Sequence, residues 1–460
     1  MPDLKLILEK IEPSPEEKER VHKLASELIH IINQEAHNQD IPAKAILVGS
    51  VAKGTRLAGK ADVDIFITFP LSCSEDYLKV KGLELGHHCI EKMGSAYEER
   101  YASHPYVTGF IDGYLVDFVP CYKISSGSEL KSAVDRTVLH TKYIKAHLKP
   151  VQRGEVLLLK RFMQVVGCYG SEFKVGGFPG YLAELLILNY GTFIRVLEAA
   201  AREWMPGYQV DLEGHGTAGF FQDPLVVVDP VDGKRNVAAA LTMQKMADFV
   251  VAASHYLENP SQDFFFKKKE EVDLDQLKKD FLSRGTVVLI LTFPSPTIPE
   301  DALYPQITKT EQSLVNILKR AGFRLWGSDS ACYQGQVFMI LELEVHTLPH
   351  LKRHYGPQVW NRVHSESFQK KYQPHCWVED DTWVALIPRE HNTAQSLLKH
   401  VISPEGICHL RTGRHLKDQL LENYQLKPLT DFLEEKNLNP QVLIWLHHYL
   451  HRNEFSGDIY

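Results

Sequence analysis

The stretch Ala45-Ile46-Leu47-Val48-Gly49-Ser50 constrains this chain more than any other. Four apolar residues run into a Gly-Ser pair, and Asp62-Val63-Asp64-Ile65-Phe66-Ile67 follows after a short gap. An apolar run closed by Gly-Ser reads as a strand entering a turn, where glycine lets the backbone approach a ligand closely and the free N–H groups face an anion. Residues two apart on a strand face the same way, so Asp62 and Asp64 share one face while Val63 and Ile65 point into the core. An anion cradle is thus followed by a pair of carboxylates able to hold a divalent cation.

At 460 residues the chain exceeds one hydrophobic core, and two or three domains are expected. Its 44% hydrophobic and 24% charged content is ordinary for a soluble globular protein. No apolar run approaches the length of a membrane span, and Met1-Pro2-Asp3-Leu4-Lys5 lacks the pattern of a signal peptide. The seven cysteines are scattered without a Cys-x-x-Cys pair, which points to reduced thiols in a cytoplasmic protein and away from a structural zinc site. A net charge of -7 counts mildly against non-specific nucleic-acid binding, although a local basic surface remains open.

The expected fold is a multidomain α+β protein: a catalytic head over 1–144, a helical central domain over 145–265 and an α+β tail over 266–460. In the head, Ser14-Pro15-Glu16-Glu17 predicts a capped helix start. The spacing then predicts strands at 45–48 and 62–69, a short helix near 51–58 and a helix over 75–93. Asp112-Gly113 between two β-rich runs predicts a hairpin. Helices are expected over 155–166, 181–193 and 236–257, and a linker over 258–275. The tail opens on β-α-β-β order (286–293, 309–320, 323–328, 336–345), which suggests a ferredoxin-like or RNA-recognition-like sandwich. Strands at 376–387 and helices at 392–401, 415–435 and 440–452 complete it.

Asp117 sits between Val116 and Phe118 in the second hairpin strand. If that strand pairs with 62–69, a third carboxylate joins Asp62 and Asp64. Clustered carboxylates raise one another's pKa, and a bound Mg²⁺ relieves the repulsion. Two such ions suit transfer of a phosphoryl centre between oxygens. Ser50 adds a hydroxyl to the cradle and Lys53 a point charge.

Taken together, the Gly-Ser turn and the Asp-x-Asp strand resemble the signature of the polymerase-β-type nucleotidyltransferases. Beyond it, the chain resembles the archaeal-type, class I CCA-adding enzymes. The stretches that carry this are Val134-Asp135-Arg136-Thr137 with His140, Glu155 to Gly170, Phe173 to Tyr181 with Glu184-Leu185-Leu186, Asp229 to Ala239, and Gly356-Pro357-Gln358-Val359-Trp360. The resemblance implies that Ser50 and Lys53 contact a triphosphate and that Asp62, Asp64 and Asp117 hold magnesium. It further implies that His140, Lys160 and Tyr169 bind the nucleotide and that Arg235 helps read the base. The first metal carboxylate can be Glu in relatives and is Asp62 here. Without the resemblance, His140 is one of 22 histidines, Lys160 a lysine that would snorkel from an apolar helix, Tyr169 a packing aromatic and Arg235 a loop cation.

The implied reaction adds C, C and A to the 3′ end of tRNA from CTP and ATP, with the acceptor arm of tRNA as partner, no membrane and a homodimer among the compatible assemblies. Lys142, Lys145, Lys149, Arg153, Lys160 and Arg161 form one basic stretch. In the tail, Lys352, Arg353, Arg362, Lys370 and Lys371 interleave with Tyr355, Trp360, Phe368 and Tyr372. A solvated charged face is the plainer reading of either. A template-free poly(A)-type adenylyltransferase and a catalytically silent RNA-binding protein stand as alternatives, the second disfavoured by the complete carboxylate set.

Overall fold

The computed structural model describes residues 2–59, 62–101, 105–266, 271–435 and 437–451. They fall into two units, within Met1–Lys268 and Lys269–Glu454. In the first unit, α1 (Leu4–Ile11) leads into α2 (Pro15–Asn38), whose cap Ser14 accepts a bond from the Glu17 N–H as the sequence predicts. Then come β1 (Lys44–Val48), α3 (Gly49–Lys53), β2 (Asp62–Phe69), α4 (Glu75–Lys92), β3 (Tyr97–Tyr101), β4 (Pro105–Ile111) and β5 (Tyr114–Tyr122). The helix expected near 51–58 is the five-residue α3, stopped by Gly54 at φ 69°.

The five strands form one sheet in the order β1-β2-β5-β4-β3. β5 runs parallel to β2, and the other pairs are antiparallel. Asp112 and Gly113 turn the β4–β5 hairpin with positive φ at both positions, the geometry that matches the twist of the flanking strands. Apolar residues of α2, α4 and the sheet, among them Leu28, Ile65, Leu85 and Phe118, make one core.

A second core in the same unit is built by α5 (Arg136–His147), α6 (Pro150–Val166), α7 (Gly180–Tyr190), α8 (Phe193–Arg202), the strands β6 (Tyr208–Val210) and β7 (Leu225–Asp229), and α9 (Met243–Glu258), while β8 (Asp232–Asn236) pairs with β7. Phe162 is central, edge-on to Phe193, Phe249 and Tyr256 and stacked on Phe264. Ile7 and Ile11 of α1 belong to this core rather than to the head.

Three expectations are corrected here. The helix over 181–193 is two helices, because Gly191 at φ 90° ends α7 and the Thr192 hydroxyl caps α8. The helix over 236–257 starts only at Met243, since the Asn236 side chain takes the N–H groups of Val227 and Ala238 and ties its segment to β7. The linker over 258–275 contains Phe264 and Phe265, both buried in the second core; residues 267–270 lie outside the described residues.

The second unit holds α10 (Leu274–Ser283), β9 (Val287–Pro294), α11 (Glu300–Ala321), β10 (Arg324–Tyr333), β11 (Gln336–Val345), β12 (Leu351–Gln358), α12 (Arg362–Tyr372), β13 (Cys376–Glu379), β14 (Thr382–Pro388), α13 (Ala394–Val401), α14 (Lys417–Asn423), β15 (Gln425–Pro428), α15 (Leu429–Phe432) and α16 (Pro440–Leu450). Its main sheet is antiparallel in the order β10-β11-β9-β15, with α11 and α13 against one face and α10, α15 and α16 against the other. Both faces of this sheet are therefore covered by helices. The helix expected over 415–435 is α14 and α15 with β15 between them. β12, β14 and β13 form a separate sheet, in that order.

Glu342 on β11 is fully buried and accepts bonds from Arg284 (3.1 Å), Thr286 (2.6 Å) and Tyr449 (2.8 Å). Arg284→Met removes the charge that offsets it, and a stranded buried carboxylate costs about 3 kcal/mol. Urea unfolding followed by tryptophan fluorescence should show the tail transition at markedly lower urea in this variant.

Candidate active site

The register of β2 on β5 sets Asp64 directly beside Asp117, with Asp62 two residues back on the same face. The hairpin therefore brings the third carboxylate to the first two. On its other side Asp64 meets the Gly-Ser turn: a Cβ at Gly49, where φ is 71°, would lie 1.9 Å from Asp64 Oδ2. Only glycine leaves room for that carboxylate. The Gly49 N–H donates to Thr141 Oγ1 on α5 at 3.3 Å, which fixes the turn against a helix 92 residues further along the chain.

Burial, then the neighbouring Asp117 and Asp62, pushes the Asp64 carboxyl up from its ordinary 3.8 to about 7. Asp117 is also raised, mainly by burial, although Thr108 donates a 2.6 Å hydrogen bond to its Oδ1 and Arg100 partly offsets it. Among the described residues no group of three or more His, Cys, Asp or Glu side chains is gathered closely enough to hold an ion as it stands. Three carboxylates whose charge is only partly offset nevertheless suit the hard oxygen donors that a divalent cation would take.

A second group of residues converges on Glu184 of α7, which has no exposed surface. Lys53 Nζ lies 2.6 Å from Glu184 Oε2, the Thr55 hydroxyl donates to Oε1, and Lys160 Nζ sits 3.4 Å from Oε1 while donating to the Thr55 carbonyl at 2.9 Å. Burial alone would raise the Glu184 carboxyl, but Lys53 and Lys160 pull it below its ordinary value. Lys160 is 2% exposed, so it does not snorkel from α6 as a lone lysine would. Gly180 stands against both the Tyr169 hydroxyl and Lys160 Nζ, at 3.0 and 3.5 Å from the place of a Cβ, which puts Tyr169 in this cluster.

The third group centres on Asp229, at the end of the wholly buried strand β7. His140 Nε2 lies 2.8 Å from Asp229 Oδ2 and Arg235 Nη1 lies 3.0 Å from the same oxygen. Burial holds the His140 imidazole below its ordinary pKa in spite of that neighbour. Burial would raise Asp229, but the His140 hydrogen bond and the Arg235 charge hold it low. A carboxylate can only accept, so the neutral imidazole donates from Nε2 and keeps Nδ1 as an acceptor. His140 stacks on Tyr181 at 3.8 Å between ring centres, and Lys53 Nζ lies 5.8 Å from the same Tyr181 ring. Lys53 also acts electrostatically on Asp64, so the three groups are contiguous.

Each predicted site residue thus falls in one of these groups; Ser50 is half-buried on α3 beside Gly49. Residue-by-residue reading assigned no role to Glu184, Asp229, Tyr181, Thr108 or Thr141. A signal existed for two of them: Glu184 stands among Leu182, Ala183, Leu185 and Leu186, and Asp229 closes the run Leu225-Val226-Val227-Val228.

The raised Asp64 carboxyl has a pH consequence. The folded chain holds a proton that the unfolded chain releases near pH 3.8, so this group's contribution to stability is full at low pH. It falls as the pH rises through about 7, then levels off. In chelator-treated protein, Asp64→Asn should melt higher than the parent at pH 8, by at most about 4 kcal/mol, with the gap closing toward pH 4. Calorimetric melts across that range check it.

Residues 26–140 match the nucleotidyltransferase domain, residues 154–266 the second domain of tRNA nucleotidyltransferase, and residues 284–428 the C-terminal domain of the CCA-adding enzyme. The CCA-adding enzyme of Methanothermobacter thermautotrophicus is 50% identical over 94% of this chain and 95% of its own length. Those of Methanoregula boonei and Methanocaldococcus jannaschii are 37% and 36% identical, over 94% and 87% of this chain and 92% and 90% of theirs. Among solved structures, a cytoplasmic RNA terminal U-transferase aligns with a TM-score of 0.45 at 12% identity, covering 58% of this chain and 98% of that one. With half its residues shared across nearly the full length of both chains, the protein belongs to the CCA-adding enzymes, a family of tRNA nucleotidyltransferases.

Proposed function

We propose that this chain adds C, C and A in turn to the 3′ end of tRNA, from CTP and ATP, releasing pyrophosphate. The observation that carries the site assignment is Asp64 set between Asp117 and the Gly49 turn. Asp62, Asp64 and Asp117 would hold magnesium, as two ions in the active complex. The metal, when bound, offsets triphosphate charge and lowers the pKa of the attacking 3′-hydroxyl.

The chain's own residues do the binding and positioning. The Ser50 hydroxyl and the backbone of the Gly49 turn grip the triphosphate. Lys53 and Lys160 share a single carboxylate, Glu184, so one positive charge is left over for phosphate oxygens. The Tyr169 hydroxyl beside Lys160 adds a donor. His140 offers Nδ1 as an acceptor and Arg235 a guanidinium edge for reading the base, and both side chains are steered by Asp229. The working division is a head over 1–144, a helical domain over 145–265 and a tail over 266–460. The acceptor arm of tRNA is taken up by the basic stretches of the second and third of these. The reaction belongs in the cytoplasm, and a homodimer is compatible with it, since the site as described draws every residue from one chain.

Incubation of the protein with Mg²⁺, labelled CTP or ATP, and a tRNA ending at its discriminator base is the test. Two C additions followed by one A and a stop are expected; open-ended A addition or no addition would overturn the proposal. Asp64→Ala should abolish incorporation while tRNA still binds in a filter assay. Gly49→Ala, which must displace the Asp64 carboxylate, should lower turnover about a hundredfold.

A further inference from the structure

A cavity of ≈ 490 Å³ opens among α1, α2, α3 and the first turn of α6. None of Ser50, Lys53, Lys160 or Tyr169 lines it, so it is not the triphosphate pocket. Its walls include Arg56, Arg153, Lys18 and His22, with Glu12 as the one acidic residue. Lys18 and Glu12 are paired with each other.

Arg56 is 7% exposed. Its Nη1 donates to Glu17 Oε1 at 2.6 Å, but its Nη2 is buried and has no hydrogen-bond partner among the described residues. A buried guanidinium N–H without an acceptor loses its hydration and gains nothing in return. Arg153 is exposed and makes no ion pair among the described residues. Its guanidinium lies across Gly54, with Nη1 3.5 Å from the place of a Cβ there. Two guanidinium groups, one short of an acceptor and one short of a counter-charge, thus line the same cavity. Their rigid forks of donors match the oxygens of a tetrahedral oxyanion, and the N-terminus of the 17-residue α6 adds favourable field.

We propose that this cavity binds a phosphate group between Arg56 and Arg153. The group is either a free phosphate or pyrophosphate ion or a phosphodiester of bound RNA. The site is coupled to the nucleotide cluster through the backbone, because Arg56 directly follows Thr55, whose carbonyl and hydroxyl are held by Lys160 and Glu184.

The test uses the full chain without nucleotide or divalent cation, titrated with inorganic phosphate against sodium chloride at equal ionic strength. Thermal midpoint and ³¹P line width are the readouts. Phosphate, and not chloride, should raise the midpoint and broaden the line. Arg153→Ala, an exposed and unpaired position, should weaken the response about tenfold or more, and Arg56→Lys should do the same. Ser50→Ala should leave it unchanged. A response shared by chloride, untouched by Arg153→Ala or abolished by Ser50→Ala would overturn the proposal. With the site established, saturating tRNA that lacks its terminal nucleotides identifies the source. Loss of the phosphate response assigns the cavity to the RNA backbone, and persistence of the response assigns it to the free ion.

Discussion

Glu184 cannot reach water, so its charge has to be met inside the protein, and the groups that meet it come from both sides of the site. Lys53 and Thr55 arrive from the segment that follows β1, and Lys160 arrives from α6. Removing one partner of a buried pair costs roughly 3–5 kcal/mol, because the other charge is left stranded. That penalty keeps the segment after β1 in register with the helical core, and it holds two lysines on one carboxylate.

The sheet imposes a second constraint of a different kind. Asp64 is hemmed in by Asp117 across the strand and by Gly49 from the turn, so three acidic side chains are concentrated by backbone pairing alone. The repulsion this creates is visible in the raised Asp64 and Asp117 carboxyls. The fold accepts that cost at the place where the positive charge of a bound cation would remove it.

Much of this was legible beforehand, and the reasons are local. The Ser14 cap, the β2 alternation and the Asp112-Gly113 turn each act within a few residues, and each was read correctly. What could not be read depends on partners far along the chain. Asn236 reads as the start of a helix because nothing in its own segment shows that its side chain bonds back to Val227 and Asp223 in place of a helical turn. β12, which begins Leu351-Lys352-Arg353-His354-Tyr355, carries no apolar alternation there and declares itself a strand only by pairing with β14. In the site, the carboxylates of the head were found from spacing. Lys160, His140 and Arg235 came through family resemblance, while Glu184 and Asp229, which hold them, were passed over inside apolar runs.

The single oxygen Oδ2 of Asp229 serves two masters, His140 at 2.8 Å and Arg235 at 3.0 Å. Neither side chain can swing aside without loosening the grip on the other. A pair built this way behaves as hinged jaws rather than two independent fingers, so a displacement of either side chain is felt by the other through Asp229.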